Sequence, residues 1–439
     1  MIVLKFGGTS VGSAERIRNL FNIVSAIIDQ RPIVVVSAFN GVTDHLIALA
    51  MNAMQGKLDL TWIRERHFKE IEKLNLESEL IESELNELET ALKGIMYLKE
   101  VNPKILDLVM SFGERISAKI VAEYFNQQGI NAKALNAYDI GLLTDSNFGN
   151  AEVLEESYKL LQDYFYSYSD FIPIVTGFIA KDAKGNITTL GRGGSDYTAT
   201  ILGAAVDAEE VQIWTDVDGV MTADPKICPT ARTVEALTYE EAYELAYFGA
   251  KVLHPKTILP VKKKGIPVRI LNTFNPKAKG TLITSRVARP NKVAAIACKK
   301  KVNILNIHTP KMFLAYGYLY RIFEIFNRHK ISVDLISTSE VNVSLTTEDK
   351  YDIDELKKDL KEIAELEVFN SRATVSIVGQ GINMEPNIAG RTFSVLGRKG
   401  INIEMISAGS SKINISFAVK QEDADECVRE LHREFFENE

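Results

Sequence analysis

The reading of the fold starts from Ile2-Val3-Leu4-Lys5-Phe6-Gly7-Gly8-Thr9-Ser10 and from Pro32-Ile33-Val34-Val35-Val36, which lies one helix further on. Between them, from Ala14 to Asp29, Ile17, Leu20, Phe21, Val24, Ile27 and Ile28 recur at helical spacing. The flanking runs show no polar alternation, and Ile33 to Val36 is β-branched throughout. Continuous runs of this kind belong to parallel strands buried on both faces. Strand, helix, strand therefore predicts an α/β sheet sandwiched by helices. The first run leads directly into Lys5 and a glycine pair, so it reads as a strand and not as a signal peptide.

Further out, Ile172-Pro173-Ile174-Val175, Ile187-Thr188-Thr189-Leu190, Val211-Gln212-Ile213-Trp214 and Val268-Arg269-Ile270-Leu271 continue the strand pattern. Helical stretches at Ser195 to Gly203 and Tyr239 to Phe248 lie among them. Thr61 to Val101 is Glu- and Lys-rich, free of proline, with apolar residues three and four apart. It reads as one or two amphipathic helices ending before Pro103, a solvated helical insertion. The α/β pattern lasts to about residue 285, and Arg286 to Asn291, with Pro290, marks a boundary.

Beyond it the chain repeats. Arg321 to Ser337 (RIFEIFNRHKISVDLIS) aligns with Arg391 to Ser407 (RTFSVLGRKGINIEMIS), with Arg321/Arg391, Phe323/Phe393, Ile331/Ile401 and Ser337/Ser407 identical. Each copy reads strand, helix, strand, strand, helix, which predicts two ferredoxin-like βαββαβ units. The expected division is residues 1–285, a linker at 286–299, a first unit at 300–370 and a second at 371–439. The second copy lacks a clear last strand, so a strand shared with the 300–310 segment is one solution.

A chain of 439 residues suggests about three domains. The 51 basic and 58 acidic residues leave a net charge of −7, which argues against nucleic acid or an anionic membrane as partner. Cys228, Cys298 and Cys427 are far apart and form no metal knuckle; a reducing, cytoplasmic compartment is expected. The six histidines contain no HxxxH pair, so no metal site built by protein alone is expected. No apolar run reaches the 18 residues of a membrane span.

Three glycine-bearing segments are candidates for chemistry. At Lys5-Phe6-Gly7-Gly8 a strand ends just before a helix. Bare amides and a helix N-terminus suit an anion there, with Lys5 as a point charge; a plain tight turn is the competing reading. Neither a Walker A motif nor GxGxxG is present. At Gly191-Arg192-Gly193-Gly194-Ser195-Asp196 an arginine among glycines could clamp a carboxylate, and Asp196 could organise a phosphoryl group or Mg²⁺. Ser195 or Asp196 could equally just cap the helix. Thr215-Asp216-Val217-Asp218-Gly219-Val220-Met221, running on to Pro225 and Lys226, has the make-up of a nucleotide rim or of an ordinary polar loop. Lys251, in Lys251-Val252-Leu253-His254-Pro255, reads by itself as a surface lysine.

Taken together, KFGGTSV (5–11), SAFNGVTD (37–44), SFGER (111–115), GRGGSDYTA (191–199), TDVDGVMTADP (215–225) and FGAKVLHP (248–255) resemble, in order and spacing, the aspartokinases. That family has an amino-acid-kinase fold followed by two ACT domains. ISVDLISTSE (331–340) is similar to the first ACT domain of its lysine-sensitive monofunctional branch, which carries no homoserine dehydrogenase domain. The resemblance implies transfer of the ATP γ-phosphoryl group, with Mg²⁺, to the side-chain carboxylate of L-aspartate, giving 4-phospho-L-aspartate at the head of lysine, threonine and methionine biosynthesis.

It further implies catalytic roles for Lys5, Gly7, Gly8 and Asp196. Aspartate would be held by Arg192 at its α-carboxylate and Glu114 at its ammonium, with Ser37, Thr43 and Ser195 lining the pocket. ATP would meet Lys5, Thr215, Asp216, Met221, Lys226 and Lys251. Met221 stands where relatives often have tyrosine and Lys226 where arginine is common, which weakens the implied nucleotide contacts. Feedback by L-lysine would use Met312, Ser332, Asp334, Thr338, Ser339 and Glu340, in a homodimer through the ACT domains or a tetramer. Two alternatives stay open: a kinase of the same fold acting on another carboxylate such as glutamate, and an ACT sensor with an inactive kinase half.

Overall fold

The computed structural model describes residues 1–167, 170–249, 253–289, 291–309, 316–408 and 413–437. The chain divides into two compact units. One comprises Met1–Val220, Glu235–Tyr239 and Val252–Val287; the other comprises Met221–Val234, Glu240–Lys251 and Ala288–Glu439.

The strands of the first unit are β1 (Ile2–Phe6), β2 (Pro32–Val36), β3 (Ala132–Leu135), β4 (Leu143–Thr144), β5 (Ile172–Thr176), β6 (Ile179–Asp182), β7 (Ile187–Thr189), β8 (Val211–Thr215), β9 (Ala236–Thr238), β10 (Val268–Asn272) and β11 (Thr281–Thr284). Its helices are α1 (Gly8–Val11), α2 (Ala14–Ser25), α3 (Val42–Met54), α4 (Thr61–Lys73), α5 (Glu82–Leu98), α6 (Pro103–Gln127), α7 (Glu156–Ser167), α8 (Gly194–Ala205) and, after α9 (Tyr239–Tyr247), which contributes only Tyr239 here, α10 (Leu259–Lys264). Eight strands form one sheet in the order β3-β5-β2-β1-β8-β10-β11-β9, parallel from β3 through β10. All five residues of β1, β2 and β5 are buried, as strands covered on both faces must be. A second, three-stranded sheet has the order β4-β6-β7.

Helix ends follow local chemistry. Ser13 caps α2 by accepting from Arg16 N, and Asn102 caps α6 by accepting from Ile105 N, with Pro103 at the first helical position. The acidic stretch predicted as solvated insertion is two helices, α4 and α5, but one stripe of it enters the core. Ile63, Ile71, Leu85, Leu88, Leu92 and Ile95 join Leu4, Phe6, Val34 and Phe125 in one cluster. Each such burial contributes about 1.5–3 kcal/mol.

In the second unit, β12 (Ala295–His308), β13 (Ile336–Thr338), β14 (Asn342–Glu348), β15 (Glu365–Val378), β16 (Met405–Ser407) and β17 (Asn414–Lys420) form a sheet in the order β13-β14-β12-β15-β17-β16. Its helices beyond α9 are α11 (Tyr318–Arg328), α12 (Ile353–Leu360), α13 (Ile388–Arg398) and α14 (Ala424–His432). The repeat expected from sequence is present as two βαββα arrays joined through β12 and β15. Both of these strands run 14 residues, and their register shifts where Lys301 and Ser371 adopt φ of 62° and 57°. Residues 295–299, read above as linker, belong to the strand that completes the second array by pairing with β15 over Thr374–Val378. The alternation Ala295, Ala297 and Ile296, Cys298 ran into Lys299-Lys300-Lys301, and that charge disguised it. Pro290 of the expected boundary lies outside the described residues.

Candidate functional site

Parallel α/β sheets offer ligands the crevice beyond the carboxyl ends of their strands. A cavity of about 350 Å³ opens in the first unit among residues that follow β1, β2 and β5 and residues that open α8. Lys5, Gly8, Ser37, Thr43, Glu114, Ser195 and Asp196 all line it, so seven of the residues singled out from sequence meet here.

Lys5 lies on β1 between β2 and β8, nearly buried, with Nζ 2.5 Å from Asp196 Oδ1 in the first turn of α8. Gly7 donates its amide to Trp214 O, and an added Cβ there would stand 3.5 Å from Lys5 Nζ. At Gly8 the need for glycine is stricter: a Cβ would fall 2.7 Å from the carbonyl of Ala38, because the turns after β1 and β2 touch backbone to backbone.

Glu114 reaches the cavity from α6. Its Oε1 accepts from Ala38 N at 3.1 Å, while the buried Oε2 makes no hydrogen bond among the described residues. Burial pushes its carboxyl up to about 8, against the pull of the Ala38 amide and of Lys5. The helix comes this near because Gly113 has no side chain; a Cβ there would meet Ala38 Cβ at 2.7 Å.

Arg192 is exposed and sits between Gly191 and Gly193, with φ of 74° and 71°; both glycines line the cavity. Ser195 is held in place by Gly177, where a Cβ would overlap its own at 2.5 Å. Thr215 and Asp216 lie at the carboxyl end of β8, beside β1, and Thr215 donates to Asp216 Oδ1 at 3.2 Å. They are not among the residues lining this cavity.

Met221 and Lys226 fall in the second unit. Met221 bridges Thr233, and Lys226 donates its amide to the Asp224 carboxylate. Lys251 and Met312 lie outside the described residues. The side chain of Asp334, 5% exposed, is engaged from within its own unit: Lys299 Nζ lies 2.7 Å from Oδ2, and Tyr247 donates its hydroxyl to Oδ1 at 3.0 Å. Thr338 pairs with Val343 at the sheet edge, while Ser332, Ser339 and Glu340 are exposed.

Sequence reasoning missed Phe39, Asn40, Asp44 and Phe178 as cavity residues. Phe178 has φ of 67°, costly for a bulky residue, held by the bond from its amide to Thr198 Oγ1. The available signal was the break after β5 at Thr176-Gly177-Phe178. Among the described residues there is no group of three or more His, Cys, Asp or Glu that could hold a metal, and no helix long and apolar enough to cross a membrane.

Residues 1–272, which hold this sheet and its crevice, match the amino acid kinase family, and residues 375–435 match an ACT domain. Among curated proteins, chloroplastic aspartokinase 1 of Arabidopsis thaliana is 40% identical, over 99% of this chain and 80% of its own length. The lysine-sensitive aspartokinase 3 of Escherichia coli K12 is 35% identical, over 100% of this chain and 99% of its own. The crystal structure of E. coli aspartokinase III in complex with aspartate and ADP superposes with a TM-score of 0.85 at 34% identity, covering 99% of this chain and 100% of that one. Its complex with lysine and aspartate gives 0.80. This chain belongs to the aspartokinase family.

Proposed function

We propose that the cavity binds L-aspartate and that the chain transfers the γ-phosphoryl group of ATP to the side-chain carboxylate, giving 4-phospho-L-aspartate and ADP. The observation that carries this reading is the Lys5–Asp196 pair in a cavity that Glu114, whose Oε2 makes no hydrogen bond among the described residues, also lines. A carboxylate nucleophile is already ionised at neutral pH, so the site has no proton to remove. Its work is to bring two anions together and neutralise the transferring charge. Lys5 supplies a cation there, with its Nζ oriented by Asp196, and the amide of Gly8 adds a donor, that of Gly7 being taken by Trp214 O. Arg192 takes the α-carboxylate and Glu114 the ammonium, while Ser37, Thr43 and Ser195 offer hydroxyls.

Thr215 and Asp216, at the carboxyl end of β8, serve the nucleotide. The carboxylate oxygens of Asp196 are hard donors of the kind Mg²⁺ takes, and that ion would complete its shell with phosphate oxygens and water. Bound there, Mg²⁺ neutralises phosphate charge. L-Lysine is the proposed effector, its ammonium received at Asp334. A buried carboxylate that already holds an ε-ammonium supports that choice. The edge strands β13 and β16 expose Ile336 and Ile406, equivalent positions of the repeat, which supports self-association through this unit as a homodimer or tetramer. A cytoplasmic setting suits the buried free thiols of Cys228 and Cys427.

The test is ADP release with L-aspartate and with L-glutamate, in the parent and in Lys5→Ala and Arg192→Ala. Aspartate-dependent release, lost in the first variant and needing far more aspartate in the second, is expected. Preference for glutamate would reassign the substrate, and no release with any amino acid would leave a sensor.

A further inference from the structure

α6 carries a second buried carboxylate that the mechanism above does not use. Asp107 is fully buried, and no cationic side chain pairs with it among the described residues. Three donors surround it instead. Oδ2 accepts from Gly149 N and from Thr189 N, each at 2.9 Å, and Oδ1 accepts from the Thr189 hydroxyl at 2.8 Å. An apolar residue of the same size would bury more cheaply. A carboxylate is needed because only an acceptor with several lone pairs satisfies two amides and a hydroxyl at once.

Those donors lie on either side of one turn. Thr189 ends β7, two residues before Gly191, and Gly149 belongs to the loop that closes over the same turn. The loop is so close that a Cβ on Gly191 would fall 2.6 Å from Asn150 Oδ1, and Ala151 N donates to Thr189 O at 2.9 Å. Arg192 is the residue this packed turn presents. Seven residues along the same helix, hence on the same face and about 10 Å away, Glu114 accepts from the amide of Ala38.

We infer that Asp107 is a positioning residue for aspartate: it fixes the Gly191–Gly193 turn so that Arg192 meets the α-carboxylate while Glu114, on the same rigid helix, meets the ammonium. The inference rests on the reading of Arg192 as the carboxylate clamp. The two charged groups of an amino acid share one carbon, so the arginine and the acid that grip them need a fixed separation. One continuous helix sets it from both ends. Asp107 touches no substrate and acts through the turn.

The experiment compares parent, Asp107→Asn, Thr189→Val and Arg192→Ala. It measures KM for L-aspartate, KM for ATP, and the kcat/KM preference for L-aspartate over 3-aminopropanoate, which is aspartate without its α-carboxylate. Asp107→Asn keeps the volume but turns a donor toward donors. KM for aspartate should rise about ten- to hundredfold and the preference should fall by a similar factor, with KM for ATP within about twofold. Thr189→Val, which removes only the hydroxyl, should move both in the same direction by a smaller factor and stands in if the first variant does not fold. A role confined to folding would lower active enzyme and melting temperature and leave both KM values and the preference where they were; that result overturns the inference. If Arg192→Ala lowers the preference and neither of the other two variants does, the inference alone fails. If Arg192→Ala leaves it unchanged, the clamp reading fails and takes the inference with it.

Discussion

Lys299 holds its ammonium 2.7 Å from one oxygen of Asp334 and 3.1 Å from Glu348, so the carboxylate proposed to receive an effector lysine is already met by a lysine of the chain. Tyr247 engages the other oxygen. An incoming ammonium must share or displace these partners. Lys299→Met should therefore lower the lysine concentration needed for half-inhibition, by about three- to tenfold if removal of the competing charge is worth about 1 kcal/mol. Inhibition curves at fixed aspartate and ATP read this directly. An unchanged or weaker response to lysine would move the effector site away from Asp334.

The acidity of Glu114 gives a pH signature. Its carboxyl is raised from the usual 4.5 to about 8, chiefly by burial. Its contribution to stability is thus fully present below about 4.5 and is lost as pH climbs toward 8, because the unfolded chain ionises first. Melting temperatures of the parent should fall relative to Glu114→Gln across that window. Binding an ammonium calls for the ionised form, so KM for aspartate should drop from pH 6 to pH 8 in the parent, by up to about tenfold per unit. In Glu114→Gln it should be higher and flat. A parent KM that does not vary over this range would separate Glu114 from the ammonium.

Two glycines make a controlled pair. At Gly8 an added methyl would press on the Ala38 carbonyl at 2.7 Å and on Asn40 N at 3.3 Å, both backbone atoms. Gly8→Ala should cost about 1–3 kcal/mol of stability and at least tenfold in kcat. Gly94, within α5, has nothing within 4 Å of its missing Cβ, and Gly94→Ala should stabilise by about 0.5–1 kcal/mol. Thermal unfolding and steady-state turnover on both variants check the contrast.

How much of this was legible in the sequence depends on the range of the signal. The runs at Ile2–Phe6 and Pro32–Val36 and the helix expected from Ser195 rest on neighbours within a few residues, the repeat on a direct match between two segments, and all appear in the fold, the helix beginning at Gly194. The cavity residues Lys5, Glu114 and Asp196 were found because motifs flagged them jointly, although their side chains come together across more than a hundred positions. Asp107 carried no motif, and its meaning comes from donors 42 and 82 residues away. Segments 221–234 and 240–251 were read as parts of the kinase half. Yet Ala223 and Cys228 share a core with Ile377, Phe417 and Leu431, an association no local pattern announces.

The long strands β12 and β15 also govern what can be cut. Each threads both arrays without a break, so a gene fragment encoding either repeat alone would begin or stop in mid-strand and strip its neighbour of a hydrogen-bonded edge. The smallest heritable module here is the pair, and recombination that shuffles such sensors among enzymes has to move both together.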